Sequence, residues 1–278
     1  MSKDGIFDLA SGLGGKIDKA EVLSSVDKYE KYHGYYGGKE EERKKNYTDM
    51  VNKYYDLATS FYEYGWGECF HFAPRWKGES LQESIKRHEH FIALQLNLKP
   101  GQTVLDIGCG IGGPLREIAR FSRTKVTGLN NNEYQISRGK VLNRAAGLEQ
   151  TCGFVKIELE LGNSLPEIRL TSQCLEAAKK VGFEVVWEKD LAEDSPIPWY
   201  SSMDTSFSLS SFRLTAAGRF MLRNLVKALE CVGIAPEGSQ RVYEFLAKSG
   251  EALVAGGKKG IFTPMYFFVV RKPISASE

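Results

Sequence analysis

No Cys-x-x-Cys pair occurs in the chain, and its cysteines, Cys69, Cys109, Cys152, Cys174 and Cys231, are odd in number and widely spaced. That pattern supports neither a secreted disulfide framework nor a structural zinc site, so no metal is expected. Charge of one sign is also lacking. The 37 basic and 35 acidic residues leave a net charge of +2, too balanced to draw a nucleic-acid polyanion. Long apolar runs are absent: Met265 to Val270 is the longest, and a membrane span takes about 20 residues. Met1-Ser2-Lys3-Asp4-Gly5 has no apolar core, so no secretory leader is expected. These absences point to an intracellular chain, soluble or held at a membrane surface. At 278 residues, 42% hydrophobic and 26% charged, it is long enough to bury roughly 75% of its unfolded surface without a staple. Length allows one large domain or two small ones.

Residues 1 to about 50 are polar, with a Glu40 to Lys45 charge run that reads as a solvated helical arm. The next stretch, 46 to 78, crowds tyrosine, phenylalanine and tryptophan between glycines, a density that belongs to a core or an apolar ligand site. Ser80 and Glu83 form a capping box, followed by Leu81, Ile85, His88 and Ile92 at helical spacing, with a stop at Pro100-Gly101. Thr103 to Ile107 reads as a buried strand, with a helix from Pro114 to about Phe121. Lys125 to Leu129 is a second strand, Asn132 and Gln135 cap a helix ending near Gly147, and Cys152 to Lys156 is a third strand. That alternation predicts a parallel sheet with right-handed crossovers. Beyond it, Ile157 to Leu161 alternates as a half-exposed strand does. Helices are expected over Thr171–Val181, Leu214–Val232 and Ser239–Ala255, and strands over Phe183–Glu188 and Phe262–Val270.

The sharpest motif runs Val104-Leu105-Asp106-Ile107-Gly108-Cys109-Gly110-Ile111-Gly112-Gly113-Pro114. Glycines at 108, 110 and 112 let the backbone turn tightly and approach a ligand closely. The preceding strand and following helix put that ligand at the strand's carboxyl end. Asp106 is an acceptor suited to a cationic or hydroxyl-bearing ligand, and the G-x-G-x-G spacing differs from the dinucleotide fingerprint.

This segment resembles motif I of the class I S-adenosylmethionine-dependent methyltransferases. The resemblance implies Asp106, Gly108, Gly110 and Gly112 as contacts to S-adenosylmethionine. An acid usually ends the second strand in that class; here Gly128-Leu129-Asn130-Asn131-Asn132 stands in its place. The amides of Asn130 and Asn131 can hydrogen-bond hydroxyls instead. The missing carboxylate also argues against a nicotinamide-dependent oxidoreductase.

Upstream lies Tyr62-Glu63-Tyr64-Gly65-Trp66-Gly67-Glu68-Cys69-Phe70-His71-Phe72. Core packing is one reading; the other is a pocket whose ring faces stabilise a cation, each worth about 0.5–2 kcal/mol. With the glycine loop and Gly128 to Gln135, the block resembles the sterol 24-C-methyltransferases, the plant cycloartenol type most nearly, from about residue 6 to 273. The resemblance implies attack of a sterol side-chain alkene on the sulfonium methyl. It also implies Tyr62, Tyr64 and Trp66 as cation stabilisers and Glu63 as base or electrostatic partner. Glu68 and His71 are further candidates. A sterol substrate implies peripheral membrane contact, at the endoplasmic reticulum or from the cytoplasm.

The chain departs from the family after Phe154-Val155-Lys156. It passes directly to Ile157-Glu158-Leu159-Glu160-Leu161, which resembles sequence well downstream, so two central strands and a helix are expected to be absent. The fold class implied is an α/β doubly wound sheet with a gap at its centre, plus a helical C-terminal part. Three regions follow: 1–78, helical arm and aromatic sterol-binding block; 79–156, the N-terminal half of the donor-binding domain; 157–278, the C-terminal sterol methyltransferase region. Such a gap leaves other segments to fill it, a homo-oligomer to form across the raw edge, or the fold marginal. The alternative to an active enzyme is therefore a catalytically impaired variant that binds sterol or an intact subunit.

Overall fold

The computed structural model describes residues 20, 22–33, 47–156, 170–204 and 216–273. The charge run at 40–45 and the alternating segment at 157–161 lie outside them. Two helices open the fold, α1 (Val22–His33) and α2 (Tyr47–Gly65). Val22 and Val26 of α1 meet Leu57 of α2 and Val242 of a C-terminal helix in a small core of their own.

Helix α3 (Leu81–Gln95) starts at the expected capping box. The Ser80 hydroxyl accepts from the Glu83 amide at 3.2 Å, and the Glu83 carboxylate accepts from the Ser80 amide at 2.8 Å. The strand–helix alternation then follows as β1 (Thr103–Ile107), α4 (Gly113–Ser122), β2 (Lys125–Asn130), α5 (Glu133–Ala145) and β3 (Cys152–Lys156). The strands form one parallel sheet, ordered as in the chain, with Thr103 opposite Lys125 and Val126 opposite Cys152. Ala93 of α3 and Leu115, Ile118 and Ala119 of α4 pack on Val126 and Cys152. Phe154 of β3 lies where a Cβ on Gly139 of α5 would collide with it. Helices α3, α4 and α5 thus cover one face of this sheet.

The rest comprises α6 (Thr171–Lys180), β4 (Glu184–Asp190), a 3-10 turn at Trp199–Ser202, α7 (Ala216–Cys231), α8 (Ser239–Lys258) and β5 (Tyr266–Arg271). β4 and β5 pair antiparallel in a separate two-stranded sheet. The closing strand begins four residues later than the Phe262 start expected from sequence. Phe262 instead packs beside Trp199 and Met265 in a third core, and Thr263 turns its hydroxyl onto the Asp190 carboxylate at 2.8 Å. The second sheet is anchored to α3 by rings: Phe91 lies 5.3 Å from Phe267 and 6.1 Å from Trp187.

Two sheets stand where an unbroken doubly wound sheet would have one. The consequence is visible on β1, now an edge strand. Leu105, Ile107, Leu129 and Val155 share the face opposite the helices by register. Leu105 is 56% exposed, Ile107 73% and Val155 49%. Branched apolar side chains on this face suit a strand covered on both faces, and among the described residues no helix covers this one.

That division generates a prediction. Leu105→Thr and Ile107→Thr should change stability by no more than about 0.5 kcal/mol, because little is buried there. Leu115→Ala, at a fully buried position, should cost about 2–5 kcal/mol. Urea denaturation of the three variants checks both; a multi-kcal loss at Ile107 would show that its face is covered.

Candidate active site

Strand β1 delivers Asp106 to the site and then breaks into the glycine loop. Gly108, Gly110 and Gly112 have φ of 76°, 54° and 80°, the left-handed region that only glycine enters freely. The Gly108 amide donates to the Leu129 carbonyl at 2.8 Å, and the Gly112 amide to the Cys109 carbonyl at 2.9 Å. The loop is thereby closed against β2 before α4 begins. Space around Gly108 is open, whereas a Cβ on Gly112 would stand 2.6 Å from the Phe154 ring.

Asp106 occupies the covered side of β1, and its Oδ2 is buried without a hydrogen-bond partner. Burial raises its carboxyl above the usual range, partly offset by the positive charge of His71. A buried acceptor left unpaired costs about 1–3 kcal/mol, so this oxygen is a ready partner for a donor group.

Asn130, at the end of β2, is used internally. Its amide donates to the Gln135 side chain at 2.8 Å and, at 3.4 Å, to the Gly110 carbonyl, while its Oδ1 accepts the Asn131 amide at 3.0 Å. It pins the glycine loop to α5, and Asn131 sits next to it at the half-buried rim.

The aromatic block lies against this loop. A Cβ on Gly113 would overlap the Glu68 carbonyl and the Cys69 sulfur, and one on Gly110 would reach Phe70 at 3.9 Å. Tyr62 faces Phe70 at 5.4 Å between ring centres and shares a 2.5 Å hydrogen bond with the Tyr54 hydroxyl. Trp66 meets Phe72 edge-on at 5.1 Å and donates its indole N–H to the His71 carbonyl at 3.1 Å. Tyr64, two residues from Tyr62 on α2, is turned to another side of the helix and is 40% exposed. Glu63 is not a free carboxylate: Arg138 of α5 donates to both of its oxygens, at 3.0 and 3.1 Å from Nε and more closely from Nη2.

Sequence reasoning passed over the residue that joins these parts. Arg116 of α4 is 2% exposed. One guanidinium nitrogen donates to the Ile111 carbonyl at 2.9 Å and the Asn143 side chain at 3.0 Å; the other donates to Glu68 at 2.7 Å. A second missed feature is the polar seam between α2 and α5. There Asn132 donates to Asp56 at 2.8 Å and Gln135 to Thr59 at 3.1 Å, in line with the Arg138–Glu63 bridge. The three-residue spacing of 132, 135 and 138 was the available signal, since it puts all three on one helix face.

Behind the block, the half-buried His71 pairs with the buried Glu89, Nε2 to Oε1 3.1 Å apart, with Glu89 1% exposed. Burial alone would lower the imidazole's pKa, but the Glu89 hydrogen bond and the Phe72 carbonyl outweigh it and raise it. Burial, His71 and Arg87 hold the neighbouring His88 down at about 4. His90, on the other side of α3, stacks on Phe121 at 4.0 Å and bonds Glu117 at 2.7 Å.

Arg116→Met should cost about 2–5 kcal/mol, because it strips the Ile111 and Asn143 oxygens of their buried donor. Thermal or urea unfolding checks it, and a loss under 1 kcal/mol would mean that the junction does not depend on the guanidinium.

The chain is similar to known proteins along nearly its whole length. Residues 42–160 match the mycolic acid cyclopropane synthetase family, and residues 209–274 match the sterol methyltransferase C-terminal family. The chain is 60% identical to cycloartenol-C-24-methyltransferase 1 of Oryza sativa subsp. japonica, with 99% of this chain and 100% of that protein covered. It is 58% identical to the cycloartenol-C-24-methyltransferase of Arabidopsis thaliana, covering 96% and 100%. The rice alignment runs over 343 positions against 278 residues here, so at least 65 positions hold no residue of this chain. Among solved structures, the [4+2]-cyclase SpnF superposes with a TM-score of 0.59 at 17% identity, over 82% of this chain and 97% of that one. The cyclopropane synthase MmaA2 of Mycobacterium tuberculosis gives 0.53 at 14%, over 73% and 90%.

Proposed function

The chain belongs to the sterol 24-C-methyltransferases, and from that premise we propose that its site transfers a methyl group from S-adenosylmethionine to carbon 24 of a cycloartenol-like sterol side chain. The observation that carries this reading is the contact of the glycine loop with the aromatic block, which supports reading the loop as a donor cradle beside rings able to stabilise a cation.

The residues present fit the donor. Asp106 offers an unpartnered buried oxygen, Gly108 and Gly110 leave backbone open to close approach, and Asn131 stands at the rim. S-adenosylmethionine supplies an electrophilic methyl group that the side-chain alkene attacks. We assign Gly108, Gly110 and Gly112 to shaping the cradle, Asp106 to holding the donor, and Asn130 to holding the loop. Tyr62 and Trp66 present ring faces to positive charge developing on the sterol, where a site shielded from water strengthens the attraction. Tyr64, on another side of α2 and 40% exposed, is given no cation-stabilising role in this reading. With both oxygens on Arg138, Glu63 is read as an electrostatic and positioning group rather than the base that takes the final proton.

The division into regions 1–78, 79–156 and 157–278 is kept as a functional one: acceptor block, donor cradle and C-terminal cover. No helix among the described residues is long and apolar enough to cross a membrane. We infer peripheral contact with a sterol-bearing membrane, the endoplasmic reticulum included.

A second reading is favoured by one specific observation, the uncovered β1 face and the divided sheet. On that reading the chain keeps its donor cradle and binds sterol or an intact subunit with impaired turnover. Two measurements separate the readings. Transfer of labelled methyl into a sterol with a side-chain alkene is expected above a heat-killed control, and its absence sinks the enzymatic reading. Calorimetric titration of S-adenosylmethionine is expected to give saturable heat, weakened at least tenfold in Asp106→Ala and abolished in Gly110→Asp. Saturable heat without transfer selects the impaired variant, and equal heats from all three proteins discredit the cradle.

A further inference from the structure

Beside the donor cradle, but formed by different side chains, three unlike donors converge. The Cys69 sulfur, a His71 ring nitrogen and a Glu89 carboxylate oxygen all lie within 4.8 Å of one another. We propose that Cys69, His71 and Glu89 form a binding site for a zinc-class divalent cation.

Geometry argues first. Tetrahedral zinc, with bonds of about 2.3 Å to sulfur and about 2.0–2.2 Å to nitrogen and oxygen, needs donors roughly 3.4–3.8 Å apart. The His71–Glu89 separation of 3.1 Å has to open by a few tenths of an ångström, and the upper bound for the set has to close by about one.

The imidazole is already turned for the task. Its Nδ1 lies 2.9 Å from the Phe72 carbonyl. A carbonyl only accepts, so Nδ1 carries the proton and Nε2 is the atom aimed at Glu89. Backbone carbonyls orient metal-binding histidines in this way. The loop is also held: the Trp66 indole donates to the His71 carbonyl, and Glu68, next to Cys69, is bound by Arg116.

Three protein donors leave the fourth position of a tetrahedral cation to water. The donor set selects the metal: thiolate and imidazole favour zinc, whereas magnesium and calcium demand cages of oxygen. Binding displaces the thiol proton and the proton held between His71 and Glu89, and no electrons move.

Cysteine spacing along the chain hides such a site, because its ligands come from one loop and one helix rather than from a cysteine pair. The proposal is independent of methyl transfer and is tested without it. Cobalt(II) added to metal-free protein should give a thiolate charge-transfer band in the near ultraviolet that saturates at one equivalent and is displaced by zinc. Cys231→Ser, at an exposed thiol, should keep the band, and Cys69→Ser should lose it. X-ray absorption on the zinc-loaded unmodified chain guards against a folding defect in the variant and should find one sulfur with nitrogen or oxygen neighbours. No band, a band that survives in Cys69→Ser, or a shell without a single sulfur overturns the site.

Discussion

A buried guanidinium holds the functional half of this molecule together. Arg116 sits on the first turns of α4, so the same helix that ends the glycine loop also carries the group that reaches the aromatic block. It satisfies the Ile111 carbonyl inside the loop, the Asn143 amide on α5 and the Glu68 carboxylate. A cation so placed is costly unless every donor is paired, and here its pairing partners come from three segments far apart in sequence. The charge can stay buried only while those segments remain assembled. Gly113 completes the junction from the other side, since the absence of a side chain there lets the Glu68–Cys69 backbone lie directly on the helix start.

The contrast with the sheet is instructive. Around the loop, polar and apolar contacts are dense, and the half of the fold from α3 to β3 has its own core. Across the molecule, continuity fails: β1 ends one sheet, β4 and β5 make another, and Leu105 and Ile107 stand open. The alignment with the rice protein leaves at least 65 positions without a residue of this chain, a shortening consistent with such a break. The two sheets are tied instead through α3, whose Phe91 packs on Phe267 and Trp187. The glycine loop therefore keeps its local support, while among the described residues no helix covers the outer face of β1.

Much of this was legible in residues. The Ser80–Glu83 capping box, the glycine motif after Asp106, Pro114 in a first helical turn and the three short strands are local signals, and each reads from its own few residues. A departure after Lys156 was expected from the alternation of Ile157 to Leu161 and from the likeness of that segment to sequence further downstream in the family, and those residues lie outside the described ones. What could not be read was which distant groups meet. Nothing local to Arg116 says that it will be buried against Glu68, and Glu63 looks like a free carboxylate until α5 brings Arg138 to it. The helix Tyr47–Gly65 was masked by its aromatic content, since rings on several faces blur the helical period. The closing strand was anticipated too early, at Phe262, because an apolar residue fits a core as well as a strand.

The central claim is that donor cradle and aromatic block form one cooperative unit across the Arg116 junction. Hydrogen exchange measured with and without S-adenosylmethionine tests it most directly. The account predicts that amides of 106–113 and of 66–72 gain protection together on donor binding in the native chain, and that Arg116→Met confines the gain to 106–113. Protection limited to 106–113 in the native chain would contradict it.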